Sequence, residues 1–369
     1  MQAVDVAEAD FYQGWQSREG IPVLTGFGIE NLGDVELGDW PRFGGRGAFI
    51  NLGTKPSPVT GAYLCEIAPE GHLEPQAHMC EEFIFIFCGR GATTVWNEAG
   101  PKRVVEWQQG SFIGIPMNAR HQHFNTGTEP ARFVSFNNMP TLMNFFRNER
   151  FMFDNPFVFD DRFAEADADY FGEGQVISLG DTGRRVLKAN FVPDLRSLQL
   201  YAMENRGAGG VNVAFAMASS LMHTHMSQFP VGTYKKGHVD PRTRGSDPGG
   251  GSLLLIVEGV GFTLVWRPGE ELQRLDWQRN GMVIAPAGYY HQHFNTGATP
   301  ARYLALTSGR SDPLAVTPNL SEISEKAGGA QIEYEDENPD IHAIFEAELV
   351  KHGAACRMNG MSPFCTGAA

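Results

Sequence analysis

The chain predicts an all-β protein built as two tandem barrels, with one minor helix near its C-terminus. Three observations carry that prediction. Twelve residues are written almost twice, HQHFNTGTEPAR at 121–132 and HQHFNTGATPAR at 291–302. The same offset of 170 positions lays Gly89 on Gly259, Gly91 on Gly261, Trp96 on Trp266 and Trp107 on Trp277, so two similar modules share the chain. Finally, 43 glycines and 22 prolines punctuate short apolar runs, a pattern of strands and tight turns rather than of helices.

Taken in order, residues 1–43 form a mixed, turn-rich arm. GGRGAFINL opens a first barrel over 44–140, and GGVNVAFAMA opens its counterpart over 206–312. The first continues through GAYLCEI, EEFIFIFCG, ATTVW, SFIGIP and ARFVSF, and the second through SLLLIVEG, FTLVW, MVIAP and ARYLAL. FIFIF at 83–87 is apolar on both faces, so its outer side needs a cover, either another sheet or another subunit, and a homo-oligomer is expected. The segment 141–205, rich in Phe and acidic residues at its start, reads as an ordered connection packed on a barrel. The tail 313–369 holds one helix at about 339–352, with Asn338 as N-cap, Pro339 in the first turn, an Ile341/Ile344/Phe345/Leu349 stripe and Gly353 beyond its end. MNGMSPFCTGAA after it reads as frayed.

With 369 residues, 42% hydrophobic and 11% aromatic, the chain can bury two real cores. A formal charge of −14 without a basic patch argues against a nucleic acid or an anionic membrane as partner, leaving a small-molecule substrate. No apolar run is long enough to span a bilayer, and MQAVDVAEAD lacks the features of a secretory signal. Five cysteines without a CxxC pair suit reduced thiols, so a cytoplasmic protein is expected, with Cys65 and Cys88 as small buried hydrophobes.

The stretch GSFIGIPMNARHQHFN fits the motif G(X)5PXG(X)2H(X)3N through Gly110, Pro116, His121 and Asn125, with Asn118 in place of the middle glycine. NGMVIAPAGYYHQHFN keeps Pro286, Gly288, His291 and Asn295. Upstream, QAHMCEEFIFIFCG answers G(X)5HXH(X)3,4E(X)6G with Gln76, His78, Glu82 and Gly89. GTYKKGHVD supplies Gly232, His238 and Asp240, followed by an inserted polar loop at 241–251 and then Ser252 where the glutamate belongs. These motifs together resemble the two-domain cupins, or bicupins, over roughly 45–310. The resemblance implies two tandem jelly-roll-like β-barrels.

Read as chemistry, residues at i, i+2, i+4 and i+6 of an extended segment share a face, which would gather Gln76, His78, Cys80 and Glu82. With His121 from a second strand they make a 2-His-1-carboxylate set, the arrangement that holds non-haem iron(II) and leaves positions open for substrate and dioxygen. Gln76 is expected as a weak fourth ligand or a hydrogen bonder around the site. His123 is open between orienter, substrate contact and packing residue, and His293 is its counterpart. In the second barrel His238, Asp240 and His291 form the candidate set, set against a metal-free barrel and against the HTH at 223–225, which lies one strand early. Cys80, Tyr234 and Lys236 are candidate substrate contacts or inert lining, and Tyr289, Tyr290, Phe124 and Phe294 a possible aromatic wall.

No nucleophile elbow, P-loop or dinucleotide fingerprint competes. The resemblance implies a metal-dependent oxygenase, an Fe(II) dioxygenase acting on a small aromatic or oxygen-rich acid. Two alternatives stand beside it: a cupin isomerase or decarboxylase using Mn, Ni or Zn, and a non-catalytic ligand-binding bicupin.

Overall fold

The computed structural model describes residues 10–55, 58–97, 102–163, 169–240, 250–307, 312–315 and 319–365. The first nine residues, nearly all of the inserted loop at 241–251 and the last four residues lie outside these.

Each barrel is a pair of sheets facing one another. In the first, one sheet runs Val23–Gly26, Gly45–Leu52, Gly61–Ile67, Ala131–Asn137, Glu82–Cys88, Phe112–Ile115 and Phe191–Val192, and the other Arg120–Asn125, Arg90–Trp96 and Arg103–Gln108. In the second, the large sheet includes Val211–Ala216, His223–Phe229, Ala301–Thr307, Gly251–Glu258 and Met282–Pro286, and the small one Gln273–Gln278, Val260–Trp266 and Tyr290–Asn295. None of the described helices is long and apolar enough to cross a membrane.

The duplicated residues are mostly structural. A Cβ on Gly91 would stand 1.9 Å from the Phe124 carbonyl oxygen and 2.4 Å from the Trp107 ring, and one on Gly261 would meet Phe294 and Trp277 at 1.9 and 2.6 Å. Only glycine lets the tryptophan lie over the strand at either place. Asn125 donates its amide to the carbonyls of Ile67, Ala68 and Glu129 and accepts from the Gly127 N–H, tying the loop after the strand shut; Asn295 does the same with Pro230, Thr299 and Gly297. Asn118, which replaces the family's glycine, takes φ 57°, the left-handed conformation that Gly288 takes at 77°, and its amide donates to Asn155 and Phe157 of the connection.

The cover over FIFIF is internal. Ile84 and Ile86 face the interior of the first barrel, while Phe83, Phe85 and Phe87 enter one apolar cluster with Leu253, Leu255 and Val257 of the second. Phe112 meets Phe215 across this seam with ring centroids 5.6 Å apart. Each buried phenylalanine is worth about 1.5–3 kcal/mol, so the seam holds the barrels back to back. That burial is met without a second subunit. The barrels also trade edge strands: Gly28–Ile29 of the arm pairs with Met282 and Val283, and Phe191–Val192 of the connection pairs with Phe112 and Ile113.

The arm holds a helix that the sequence did not announce, Phe11–Glu19, capped by Asp10. Its apolar residues span little more than one turn, and it is fixed by burying Tyr12 and Trp15 and by a reciprocal amide pair between Gln16 and Asn51 at 3.1 and 2.8 Å. The connection opens with two helices, Met139–Phe146 and Glu149–Phe153, which bury Met143 and Met152 in the first barrel's core. The C-terminal helix runs Pro339–Lys351 from an Asn338 cap and docks Ile341, Phe345 and Leu349 against Tyr234, Phe262 and Phe294. Two expectations are corrected here. As far as Cys365 the stretch after the helix is packed rather than frayed, with Met358 at 0% and Ser362 at 3% exposure, and the last four residues lie outside the described ones. Cys88 is exposed, because it ends its strand at the barrel rim, whereas Cys65 is buried.

Candidate metal centre

In the first barrel, His78, Glu82 and His121 offer donor atoms that all lie within 4.8 Å of one another. Glu82 begins the strand Glu82–Cys88, and His121 lies on Arg120–Asn125. His78 comes from the irregular stretch before Glu82, which is held to the His121 strand by the bridge between Gln76 and His121.

Each imidazole has its orientation set from behind. The Nδ1 of His78 donates to the Cys80 carbonyl at 3.2 Å and that of His121 to the Ala119 carbonyl at 3.1 Å, so Nε2 is the nitrogen that each ring turns toward the centre. Nε2 of His78 and Nε2 of His121 lie 3.0 and 3.8 Å from Oε2 of Glu82. The other carboxylate oxygen, Oε1, accepts hydrogen bonds from Tyr63 and Ser135. Burial opposes ionisation of Glu82, but the facing histidines and the Ser135 hydroxyl overcome it and hold the acid well below the usual carboxylate range. His121 is pushed down to about 4, by burial first and then by the neighbouring His78 charge, and is therefore neutral at pH 7. Two neutral-capable nitrogens, one anionic oxygen and a bonded shell behind each make a donor set that fits a divalent ion.

His123 is outside this set. Its Nδ1 lies 2.7 Å from Thr93 Oγ1, which also accepts from Trp107 Nε1 at 3.0 Å. The fully buried Thr93 hydroxyl has no other acceptor among its contacts, so it donates to Nδ1 and the ring carries its proton on Nε2, the edge opposite Thr93. His293 repeats the arrangement with Thr263 and Trp277 at 2.9 and 3.0 Å.

Gln76 and Cys80 do not join the three donors, because residues 71–81 are not a regular strand and strict alternation does not apply. Gln76 turns its amide to the Arg42 and Glu74 carbonyls at 3.0 and 3.3 Å rather than to the three donors. Cys80 is fully buried, with its sulfur 3.0 Å from Nδ1 of His78, behind the ring and away from Glu82.

The second barrel does not repeat the centre. Strand register places His225 where Tyr63 stands, Ala305 at Ser135 and Ser252 at Glu82. The bridge to His291 puts His238, not Asp240, at the Gln76 position. His238, Asp240 and His291, expected as a metal set, do not converge as the first set does: their donor atoms do not all come within 4.8 Å of one another. Nε2 of His238 instead accepts from Arg206 at 2.7 Å, while its Nδ1 donates to the Lys236 carbonyl at 3.2 Å, so its lone pair is already engaged by a cation. Ser252 pairs with Thr307 at 2.7 Å. A cavity of about 410 Å³ fills this barrel, lined by Lys235, Arg206, His223, His225 and His293 among others.

Tyr234 and Lys236 are turned out of that cavity. Tyr234 is buried under the C-terminal helix, bonded to Glu337, and Lys236 pairs with Glu333. The residue between them, Lys235, lines the cavity and was missed, since the stretch 231–240 forms only isolated bridges and its facing cannot be read by parity. The aromatic wall is likewise packing: Phe294 stacks on Phe262 at 4.5 Å, Tyr290 on Trp266 at 5.7 Å, Tyr289 lies under Arg267, and Phe124 meets His72.

Residues 63–137 match the family model described as the cupin domain. Together with the duplicated register, that match decides the architecture. Residues 63–137 are a cupin domain, in a chain that has the two-barrel fold of the bicupins. No curated protein sequence matches this chain. Among solved structures it is similar to an oxalate decarboxylase studied for its substrate binding mode, at 12% identity over 78% of each chain and a TM-score of 0.50. It is similar to the same extent, 12% over 78% of each chain at a TM-score of 0.50, to the Bacillus subtilis enzyme whose Mn(II) centres were assigned. A further oxalate decarboxylase matches at 15% identity over 77% of each chain, also with a TM-score of 0.50. At such identities the likeness is one of fold.

Proposed function

We propose that this bicupin is a metal-dependent enzyme whose working centre is His78, Glu82 and His121, and that it removes carbon dioxide from a small carboxylate. The observation that carries the reading is the convergence of two imidazole Nε2 atoms and Glu82 Oε2, each secured from behind, on one point inside the first barrel. Mn(II) is the favoured ion, supported by the oxygen and nitrogen donor set and by the Mn(II) centres of the similar decarboxylase. When bound, the ion would supply Lewis acidity toward the substrate's carboxylate oxygens.

The residues of the chain do the rest. Tyr63 and Ser135 keep Glu82 ionised and aimed. All three donors are at 4% exposure or less, which favours a small substrate and excludes bulk water. As the bond between the carboxylate carbon and its neighbour breaks, the electron pair stays on the remaining carbon and must take a proton. That proton comes from a second acid group of the substrate or from solvent, because burial pushes His123 down to about 3 and keeps it neutral. The His123 Nε2–H, on the edge of the cluster with its ring 5.4 Å from that of His121, is placed to hold the substrate by a hydrogen bond.

A second reading, an Fe(II) dioxygenase, is favoured by the donor set itself, since 2-His-1-carboxylate is the usual iron(II) oxygenase arrangement. Ni or Zn would serve a non-redox reaction equally. The second barrel fits the binding of a small ligand without a metal, on account of its cavity and basic lining.

The test is to load the full chain with Mn(II) or Fe(II) and follow carbon dioxide release and oxygen uptake with oxalate and with catechol-like and salicylate-like acids. Carbon dioxide release without stoichiometric oxygen uptake supports the decarboxylase. Oxygen uptake confined to the iron form transfers the assignment to the oxygenase, and no turnover in either form overturns both.

A further inference from the structure

A second group of metal-binding side chains lies outside both barrel interiors. His342 and Glu346 stand one turn apart on the helix Pro339–Lys351, and the packed tail brings Cys356 and Cys365 to the same place. One donor atom from each of the four lies within 4.8 Å of all the others.

The hydrogen bonding fixes which atoms are offered. The Tyr234 hydroxyl gives its proton to Glu337, so Nδ1 of His342, 3.0 Å from the same oxygen, donates to it and leaves the lone pair on Nε2. That Nε2 stands 3.1 Å from Oε1 of Glu346 and 3.9 Å from the Cys356 sulfur, and the two sulfurs are 3.0 Å apart. A lone pair, a carboxylate oxygen and two thiols thus face one point. Among the described residues Glu346 has no ion-pair partner besides His342, and neither cysteine is in a disulfide.

We propose that His342, Glu346, Cys356 and Cys365 form a structural zinc site. Two sulfurs with one imidazole select a borderline-soft ion, and four protein ligands make the closed tetrahedral shell of structural rather than catalytic zinc. Bonds of about 2.0 Å to nitrogen or oxygen and about 2.3 Å to sulfur put neighbouring donors about 3.3–3.8 Å apart. The His–Glu and His–Cys separations already sit close to that span, and the sulfurs need only move apart by somewhat under ~1 Å. The ion would clamp the tail to the helix, and through Phe345 to the second barrel, adding to the apolar packing of Met358 and Cys365 and to the hydrogen bond from the Arg357 N–H to the Gly232 carbonyl.

The proposal is independent of the first barrel's centre, and the experiment separates them. The full chain, purified under reducing conditions, is analysed for zinc, and cobalt(II) is then exchanged in to read thiolate-to-cobalt absorption. The barrel centre has no sulfur donor, so that absorption reports the tail alone. One thiolate-bound ion per chain is expected, lost in Cys356→Ser and in Cys365→Ser and kept in His121→Ala, with Glu346→Gln weakening zinc affinity about 10-fold or more. Absence of the absorption in the unmodified chain, its persistence in the double serine variant, or a native mass lowered by two hydrogens from a Cys356–Cys365 disulfide would overturn the proposal.

Discussion

Nε2 of His78 lies 3.0 Å from Oε2 of Glu82, while Oε1 of the same carboxylate is held by Tyr63 and Ser135. One oxygen faces the centre and the other is anchored, so the anchor governs how well the first can serve as a ligand. Replacing Tyr63 by Phe removes one anchor and keeps the ring packing. Metal affinity is expected to fall about 10-fold, measured by competition with a chelator, with the fold intact. An unchanged affinity would remove Tyr63 from the site.

Thr93→Val severs the Trp107–Thr93–His123 chain and frees the His123 tautomer. A stability loss of about 1–3 kcal/mol is expected in urea, together with at least about a 10-fold fall in turnover at unchanged metal content. Thr263→Val breaks the same chain in the second barrel and should match the stability loss without the kinetic one. Equal kinetic losses in both variants would place the effect in folding alone.

Lys235 is at 3% exposure with no carboxylate at ion-pair distance among the described residues, and burial pushes its ammonium below the ordinary lysine value. A buried charge that meets only Tyr303 and the faces of the Phe229 and Tyr303 rings, without a carboxylate, opposes folding. Lys235→Met is therefore expected to raise the unfolding free energy by about 1–2 kcal/mol, and to remove the stabilisation that a small carboxylate such as benzoate gives the unmodified chain. A destabilised variant would show that the ammonium is already paired.

Burial would raise the Glu322 carboxyl, but the charges of Arg206 and Arg184 and hydrogen bonds from Arg184 and Asn319 outweigh it and lower it from its ordinary 4.5. A carboxyl depressed in the folded state contributes stability that is present above the unfolded value and lost as pH falls through the folded one. Glu322→Gln should therefore cost about 1–2 kcal/mol at neutral pH, shrinking steadily as pH drops below 4.5. A pH-independent difference would mean that shape, not charge, is what Glu322 supplies.

Much of the architecture was legible because it is written twice. The Gly–Trp pairs and the looped asparagines recur at one offset, and each serves backbone geometry that any copy of the barrel needs. His78, Glu82 and His121 stood out by residue type and spacing. Alternation failed where the chain leaves the ladder: it put Gln76 with the donors and Tyr234 and Lys236 in a cavity that Lys235 occupies. The cover over Phe83, Phe85 and Phe87 is contact between distant parts of the chain, which periodicity cannot assign to a partner. The His342–Cys356–Cys365 cluster escaped because a helix and a tail that read as frayed had to be folded together first.

The account rests on the first barrel holding the working ion. Elemental analysis of the unmodified chain beside His121→Ala and His291→Ala tests this most directly. The account predicts that His121→Ala loses the sulfur-free ion and all turnover while His291→Ala keeps both. Loss of that ion in His291→Ala, with His121→Ala still loaded and active, would contradict it.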